Sequence, residues 1–369
     1  MAELVLVTGG AGFIGRHVAR TLLRHGYAVR VLDTFIDQVH RYSGHRDRVL
    51  DEVEVYRGDI RDPAAVTRAL KGVDSVIHLA AEVGVGQSMY AIDRYVDVND
   101  HGTGVLFQEL IEAPVRRVVV ASSMSVYGEG LYRASDGRLV EAAERLTDPA
   151  AGWDPVDDDG TPLEPVPTPE WKRPSLASVY ALTKYAQERL TLITAPAYGM
   201  EACALRLFNV YGPGQALSNP YTGVLAIFAS RLLNGQPPLV FEDGNQQRDF
   251  VHVEDVADAF VLALTHPQAV GGVFNIGSGD AYSIAGIARS IAAAMGREEI
   301  EPEILHKVRL GDIRHCFADI SRAHAQLGFA PRRRLEDSLG ELADWVNRQK
   351  AVDLVNEARQ ELESRGLVA

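Results

Sequence analysis

Leu4-Val5-Leu6-Val7-Thr8-Gly9-Gly10-Ala11-Gly12-Phe13-Ile14-Gly15 begins as a short apolar run, passes through a glycine-rich turn and continues into a helical pattern that reaches Leu22 and Leu23. This order of strand, turn and helix decides the fold. Gly9 suits a tight turn, Gly12 lets backbone approach a pyrophosphate, and Gly15 lets the helix pack close to the strand, with the helix N-terminus toward the phosphates. A second apolar run, Ala28-Val29-Arg30-Val31-Leu32, ends at Asp33, where a carboxylate can accept hydrogen bonds from ribose hydroxyls. An acid there favours NAD over NADP, because a 2′-phosphate would meet a negative charge.

Further units follow at regular spacing. Val53-Glu54-Val55-Tyr56 ends near Asp59, which reads either as a helix cap or as a contact to the adenine end of the cofactor. Ser75-Val76-Ile77-His78-Leu79-Ala80-Ala81 and Arg117-Val118-Val119-Val120-Ala121 are the next strands, the second leading to Ser122-Ser123. Strands alternating with helices predict an α/β fold: a Rossmann-type, doubly wound parallel sheet, with a smaller C-terminal mixed α/β lobe for substrate. His78, on an apolar strand, reads as a hydrogen-bonded core residue.

In such sheets ligands bind beyond the carboxyl ends of the strands, so Ser123 faces the same crevice as the glycine loop. Tyr180 and Lys184, in Tyr180-Ala181-Leu182-Thr183-Lys184, are four apart and share one face of a helix. A free phenol titrates near ~10, and a fixed ammonium beside it would bring it toward the working range of a base. Ser123 can then hydrogen-bond a substrate oxygen while Tyr180 takes the proton of a hydroxyl.

The 369 residues are 46% hydrophobic and 24% charged, enough for a large core. A formal net charge of −13 argues against general nucleic-acid binding, and Arg332-Arg333-Arg334 reads as a solvated turn. Cys203 and Cys316 exclude a disulfide framework and a cysteine-rich zinc site; they fit a cytoplasmic protein, and no metal is required. The sequence shows no cleavable leader and no apolar run of ~20 residues, so a membrane role is not expected.

Thr8 to Gly15, Leu79-Ala80-Ala81, Ser123-Met124-Ser125-Val126-Tyr127-Gly128 and Tyr180 to Lys184 together resemble the extended short-chain dehydrogenase/reductase family, in its nucleotide-sugar epimerase/dehydratase branch. The resemblance runs from Leu4 to about Trp345. It implies tightly held NAD contacted by Gly9, Gly12, Phe13, Ile14, Gly15, Asp33, Asp59 and Ile60 on the adenosine side. Leu79, Ala80, Ala81, Asn99, Tyr180 and Lys184 would complete the cofactor site. The catalytic set it implies is Ser123, Tyr180 and Lys184, with Tyr180 as base and Lys184 lowering its pKa. A nucleotide-diphosphate sugar is the implied substrate, contacted by Asn209, Arg248, Arg309 and Asp312. Read from residue type alone, the two arginines either bind a dianion or pair with neighbouring acids. A homodimer is implied by the same resemblance.

Sugar dehydratases of this branch carry Asp-Glu after the catalytic hydroxyl, where this chain has Met124-Ser125. Methionine offers no acid or base. Reversible oxidation at C4 followed by hydride return to the other face, a 4-epimerisation, is the simplest use of the remaining groups. A nucleotide-sugar oxidoreductase or decarboxylase, a UDP-hexose or UDP-hexuronate 4-epimerase and an idle nucleotide-binding protein are the alternatives. The polar stretch 129–174, with Glu82 to Tyr90 and Ala216 to Gly223, is similar to a subgroup that includes dTDP-L-rhamnose 4-epimerases. Gln87 and Ser88 read either as hexose contacts or as a polar loop tip, and 129–174 as a long loop, functional or disordered. The expected organisation is a cofactor domain over 1–205, a predominantly substrate-binding lobe over 206–349 with return segments to the sheet, and a solvated helical tail over 350–369.

Overall fold

The computed structural model describes residues 2–40, 47–144 and 152–368. Seven strands form one sheet: β1 (Leu4–Thr8), β2 (Ala28–Asp33), β3 (Glu54–Arg57), β4 (Ser75–His78), β5 (Arg117–Ser123), β6 (Glu201–Leu207) and β7 (Val273–Ile276). Their spatial order is β7-β6-β5-β4-β1-β2-β3, and every neighbouring pair runs parallel. The order reverses between β1 and β4, where a doubly wound sheet opens its ligand crevice.

Among the described residues the α-helices of eight residues or more are α1 (Phe13–Arg24), α2 (Pro63–Leu70), α3 (Gly102–Glu112), α4 (Val179–Ala197), α5 (Val224–Leu233), α6 (Val253–Thr265), α7 (Ile284–Ala294), α8 (Leu335–Asn347) and α9 (Val355–Ser364). Because strand side chains alternate, both faces of the sheet need a helical cover, and continuous apolar strands supply both. On β1, Val5 and Val7 join Val18 and Leu22 of α1 and Phe260 of α6 in one layer. Leu6 joins Val66 of α2 and Leu106 and Leu110 of α3 in the other. Asp62 caps α2 by accepting from the Ala64 N–H, with Pro63 in the first turn.

Helices α5, α7 and α8 form a second core through Phe228, Leu232, Ile287, Ile291, Leu339 and Leu342. Between α5 and α7 the chain returns to the sheet through α6 and β7. The expected boundary at 205/206 therefore falls inside β6, whose residues pair with β5 as far as Leu207. Among the described residues no helix is long and apolar enough to cross a membrane.

The sequence reads 129–174 as a loop; its described residues include a small antiparallel sheet. Leu131–Arg133 is its central strand, flanked by Leu139–Val140 and Glu164–Val166. Polar anchors hold it. Glu129 accepts from the Arg314 and His315 N–H groups at 2.6 and 3.2 Å, and the buried Lys172 Nζ donates to the Tyr127 carbonyl at 2.8 Å. The tail also differs from its expected solvated state: α9 buries Ala358 and Leu362 against the body.

Candidate active site

The carboxyl ends of β1, β2, β4 and β5 open into a cleft of about 660 Å³ that continues between the sheet and the second core. At its floor Gly9 has a positive φ of 68°, and a Cβ there would lie 2.9 Å from the Ala80 nitrogen. Only glycine fits that turn. A Cβ on Gly15 would lie 2.5 Å from the Gly10 Cα, so its absence lets α1 sit tight on the loop. Gly12 is the N-cap of α1 with no side-chain cap, and a Cβ on it would meet only the Gly9 carbonyl, at 3.2 Å. The helix N-terminus is thus left open toward the cleft, with Phe13 and Ile14 beside it. These residues fit a dinucleotide pyrophosphate.

Asp33, at the end of β2, faces the cleft. Its Oδ2 accepts from the Ala11 N–H at 3.0 Å and its Oδ1 from the Phe35 N–H at 2.8 Å, which fixes the carboxylate. Asp59 and Ile60 line the same wall. Capping of α2 falls to Asp62, and Asp59 instead binds Arg61 through both its N–H and its guanidinium. The Arg61 hydrogen bonds hold the Asp59 carboxyl below the usual range. Leu79, Ala80 and Ala81 follow β4 and also line the cleft. Asn99 stands behind this wall: fully buried, its Oδ1 accepts from the Glu82 N–H at 2.7 Å and its Nδ2 donates to the Glu82 carbonyl and Thr183 Oγ1. It braces the loop after β4 against α4.

Ser123 ends β5, and its Oγ accepts from the Ser125 N–H at 3.2 Å and the Ser125 hydroxyl at 2.9 Å. Ser178 caps α4 by accepting from the Ala181 N–H, and the first helical turns present Tyr180 and Lys184 to the cleft. Burial raises the Tyr180 phenol, and a hydrogen bond with Ser123 opposes that rise. The Tyr95 ring packs edge-on against Tyr180 with centroids 6.4 Å apart.

Lys184 is bonded within its own helix. Its Nζ donates to Gln187 Oε1 at 2.6 Å, and burial pushes its pKa down to about 7 against the opposing pull of Asp100 and Glu188. In this geometry the Lys184 ammonium is turned to Gln187, and the influence that opposes burial on the Tyr180 phenol is the hydrogen bond with Ser123. Gln187 Nε2 lies 2.8 Å from Thr103 Oγ1 and 3.2 Å from His78 Nε2, and His78 Nδ1 lies 2.7 Å from Thr8 Oγ1. The structure thus makes His78 a core link, kept neutral by burial with a pKa of about 3. Neither the Gln187 contact nor the charge of Asp100 carries a sequence motif. Only the helical spacing from Lys184 to Gln187 hints at the first of them.

The far half of the cleft is lined by Asn209, Arg248, Arg309 and Asp312. Asn209 Nδ2 donates to the Asp249 carbonyl at 3.0 Å. Arg248 donates to the carbonyls of Gln247, Ile313 and Arg314. Arg309 pairs with Asp312 at 2.8 Å and lies over the Phe241 ring, 4.5 Å from its centroid. Gln87 and Ser88 do not line the cleft. Ser88 donates to the Val85 carbonyl and accepts from the Tyr180 N–H, while Gln87 Oε1 accepts from Gln38 and Tyr95. Their polar groups are engaged inside the protein, and Val83, Gly84, Val85 and Gly86 form the wall instead. The far half also includes Val355, Ala358, Arg359 and Leu362 of α9, a contribution the sequence reading missed.

The sequence model of the NAD dependent epimerase/dehydratase family matches residues 5–277. A dTDP-L-rhamnose 4-epimerase of Burkholderia thailandensis is 38% identical over 356 residues, covering 93% of this chain and 94% of that protein. Among solved structures, the UDP-glucose 4-epimerase of Thermotoga maritima with UDP-glucose aligns with a TM-score of 0.76 and 30% identity, covering 93% of this chain and 98% of that one. The UDP-glucose 4-epimerase of Thermus thermophilus in complex with NAD aligns with a TM-score of 0.72 and 29% identity, covering 94% and 99%.

Proposed function

The chain belongs to the NAD dependent epimerase/dehydratase family, and on that premise we propose that it is a nucleotide-diphosphate-sugar 4-epimerase acting on a dTDP-6-deoxyhexose such as dTDP-L-rhamnose. One observation carries the reading: a single cleft holds the open glycine loop, Asp33, Ser123, Tyr180 and Lys184, then runs on to Asn209, Arg248 and Arg309. The sugar assignment is supported by the 38% identity to the rhamnose epimerase over nearly both chains.

Gly9, Gly12, Phe13, Ile14, Gly15, Asp33, Asp59 and Ile60 would hold the adenosine and pyrophosphate of NAD, and Leu79, Ala80, Ala81, Tyr180 and Lys184 its nicotinamide end, with Asn99 bracing the wall. Bound NAD supplies a reversible hydride acceptor, so no redox equivalent is consumed in a turnover. Tyr180 accepts the proton of the C4 hydroxyl and later returns it, while Ser123 hydrogen-bonds the same oxygen. A charged Lys184, once turned from Gln187 toward the phenol, favours the tyrosinate. Arg248 and Arg309 offer charge to the diphosphate, and Asn209 and Asp312 bind its flanks. Met124, which lines the cleft directly after Ser123, supplies no proton for elimination at C5 and C6.

Residues 1–205 carry cofactor and base, 206–349 most of the substrate wall, and 350–369 complete it. Leu182 and Ile193 on α4, 49% and 60% exposed, together with the exposed Val96, support pairing of two chains through these helices. Buried free thiols at Cys203 and Cys316 support a cytoplasmic setting.

The test is incubation of the purified protein, without added NAD, with dTDP-L-rhamnose, UDP-glucose and UDP-glucuronate, followed by NMR. A C4 epimer of the dTDP sugar is the expected product. Stoichiometric NADH or CO2 on adding NAD would move the function to an oxidoreductase or decarboxylase.

A further inference from the structure

The C-terminal helix forms part of the cleft wall. Val355, Ala358, Arg359 and Leu362 stand at i, i+3, i+4 and i+7, the spacing of one helical face, and all four line the cleft. The segment carrying them is tied to α5 and to three stretches that border the same cleft. Asp353 pairs with the buried Arg231 at 3.1 Å, and the Val352 N–H donates to Ser218 Oγ at 2.9 Å. Leu310 N–H donates to the Leu367 carbonyl at 3.0 Å, beside a bridge between Arg309 and Val368. Arg365 lies over the Tyr90 ring, 4.6 Å from its centroid, and Leu362 would lie within 3.4 Å of a Cβ on Gly86. The helix is fixed at both ends, so its inner face holds a defined position.

The cations of the far half differ in how they are engaged. Arg248 donates to three carbonyls, and Arg309 is paired with Asp312 at 2.8 Å. Arg359, its side chain 28% exposed, has its Nε buried without a hydrogen-bond partner among the described residues. Among the described residues it pairs with Glu363 at 4.0 Å, and Glu363 is itself bonded to Lys307 at 2.8 Å. A buried guanidinium N–H left unmet is costly, and an anionic ligand in the cleft would satisfy it. Resting on the nucleotide-sugar reading, we propose that Arg359 is a third binding cation for the substrate's diphosphate, placed there by the C-terminal helix.

Titration calorimetry on the protein as isolated, with its own NAD, tests this with UDP and dTDP as probes and with Arg359→Gln and Arg359→Lys as variants. Both substitutions keep a good helix former on a terminal helix. Whichever diphosphate the parent binds, Arg359→Gln is expected to weaken it about tenfold, with Arg359→Lys in between. NAD content and melting temperature should stay at parental values. Parental affinity in Arg359→Gln would overturn the proposal, as would parallel loss of NAD, which would assign the arginine to the cofactor. Failure of the parent to bind either diphosphate would remove the nucleotide-sugar reading, and this inference with it.

Discussion

On the proposed function the chemistry rests on Tyr180 and Lys184, whose environments are opposed. Burial raises the phenol of one and lowers the ammonium of the other, so each is held closer to neutral than in water. Tyr180→Phe keeps the ring packing against Tyr95 and removes only the hydroxyl; epimerisation should fall about a hundredfold or more, with bound NAD retained. Unchanged turnover would remove Tyr180 as the base. Lys184 also leaves a signature in stability. Its folded pKa is about 7 against 10.5 for the free side chain, so below pH 7 both states carry the proton and burial costs its full amount. Between 7 and 10.5 the unfolded chain holds a proton that the folded one has released, and stability rises with pH. NAD-free protein should therefore gain about 2 kcal/mol relative to Lys184→Met between pH 7 and 9 in urea denaturation. Parallel pH profiles for the two proteins would contradict the shift. That Ser123, Tyr180 and Lys184 line one cleft was legible, because the end of a parallel strand and a four-residue helical spacing place them there. Gln87 and Ser88 were not, because a polar loop residue looks the same in sequence whether it meets a ligand or its own backbone.

At the scale of elements, periodicity and glycine placement made the cofactor half readable, whereas the insertion and the tail were not. Strands of two or three residues, separated by Pro, Gly and Asp, are too short to show alternation, and the partners that fix them are distant in sequence. Arg314 illustrates this: 1% exposed, it binds Asp154 of the insertion at 2.6 Å together with Glu242 and Asp243 of the substrate lobe. Removing one member of a buried ionic cluster strands the others. Arg314→Met should lower stability by about 3 kcal/mol and open the segment around Asp154 to proteolysis. Parental stability and protease resistance would show that the insertion is held by its apolar contacts alone. The tail hid for a different reason. Its inward stripe is thin, with Ala358 and Leu362 buried among charged neighbours, so composition alone reads as a solvated helix.

On the scale of the whole molecule, the parallel sheet gathers the ends of β1, β2, β4 and β5 at one edge, and the second core closes over them. That architecture follows from the sequence because buried parallel strands must be apolar on both faces. The lobe boundary was less legible, since the chain crosses between lobes at β6, α6 and β7 and no composition change marks those crossings. The central claim is that one cleft oxidises and re-reduces the same carbon. It is tested most directly with dTDP-L-rhamnose deuterated at C4, incubated with the purified protein and no added NAD, and analysed by NMR and mass spectrometry. The account predicts a C4 epimer that retains the deuterium at C4, because the hydride that leaves is the one returned. Loss of the label to solvent, or a deuterated NADH accumulating in place of an epimer, would contradict it.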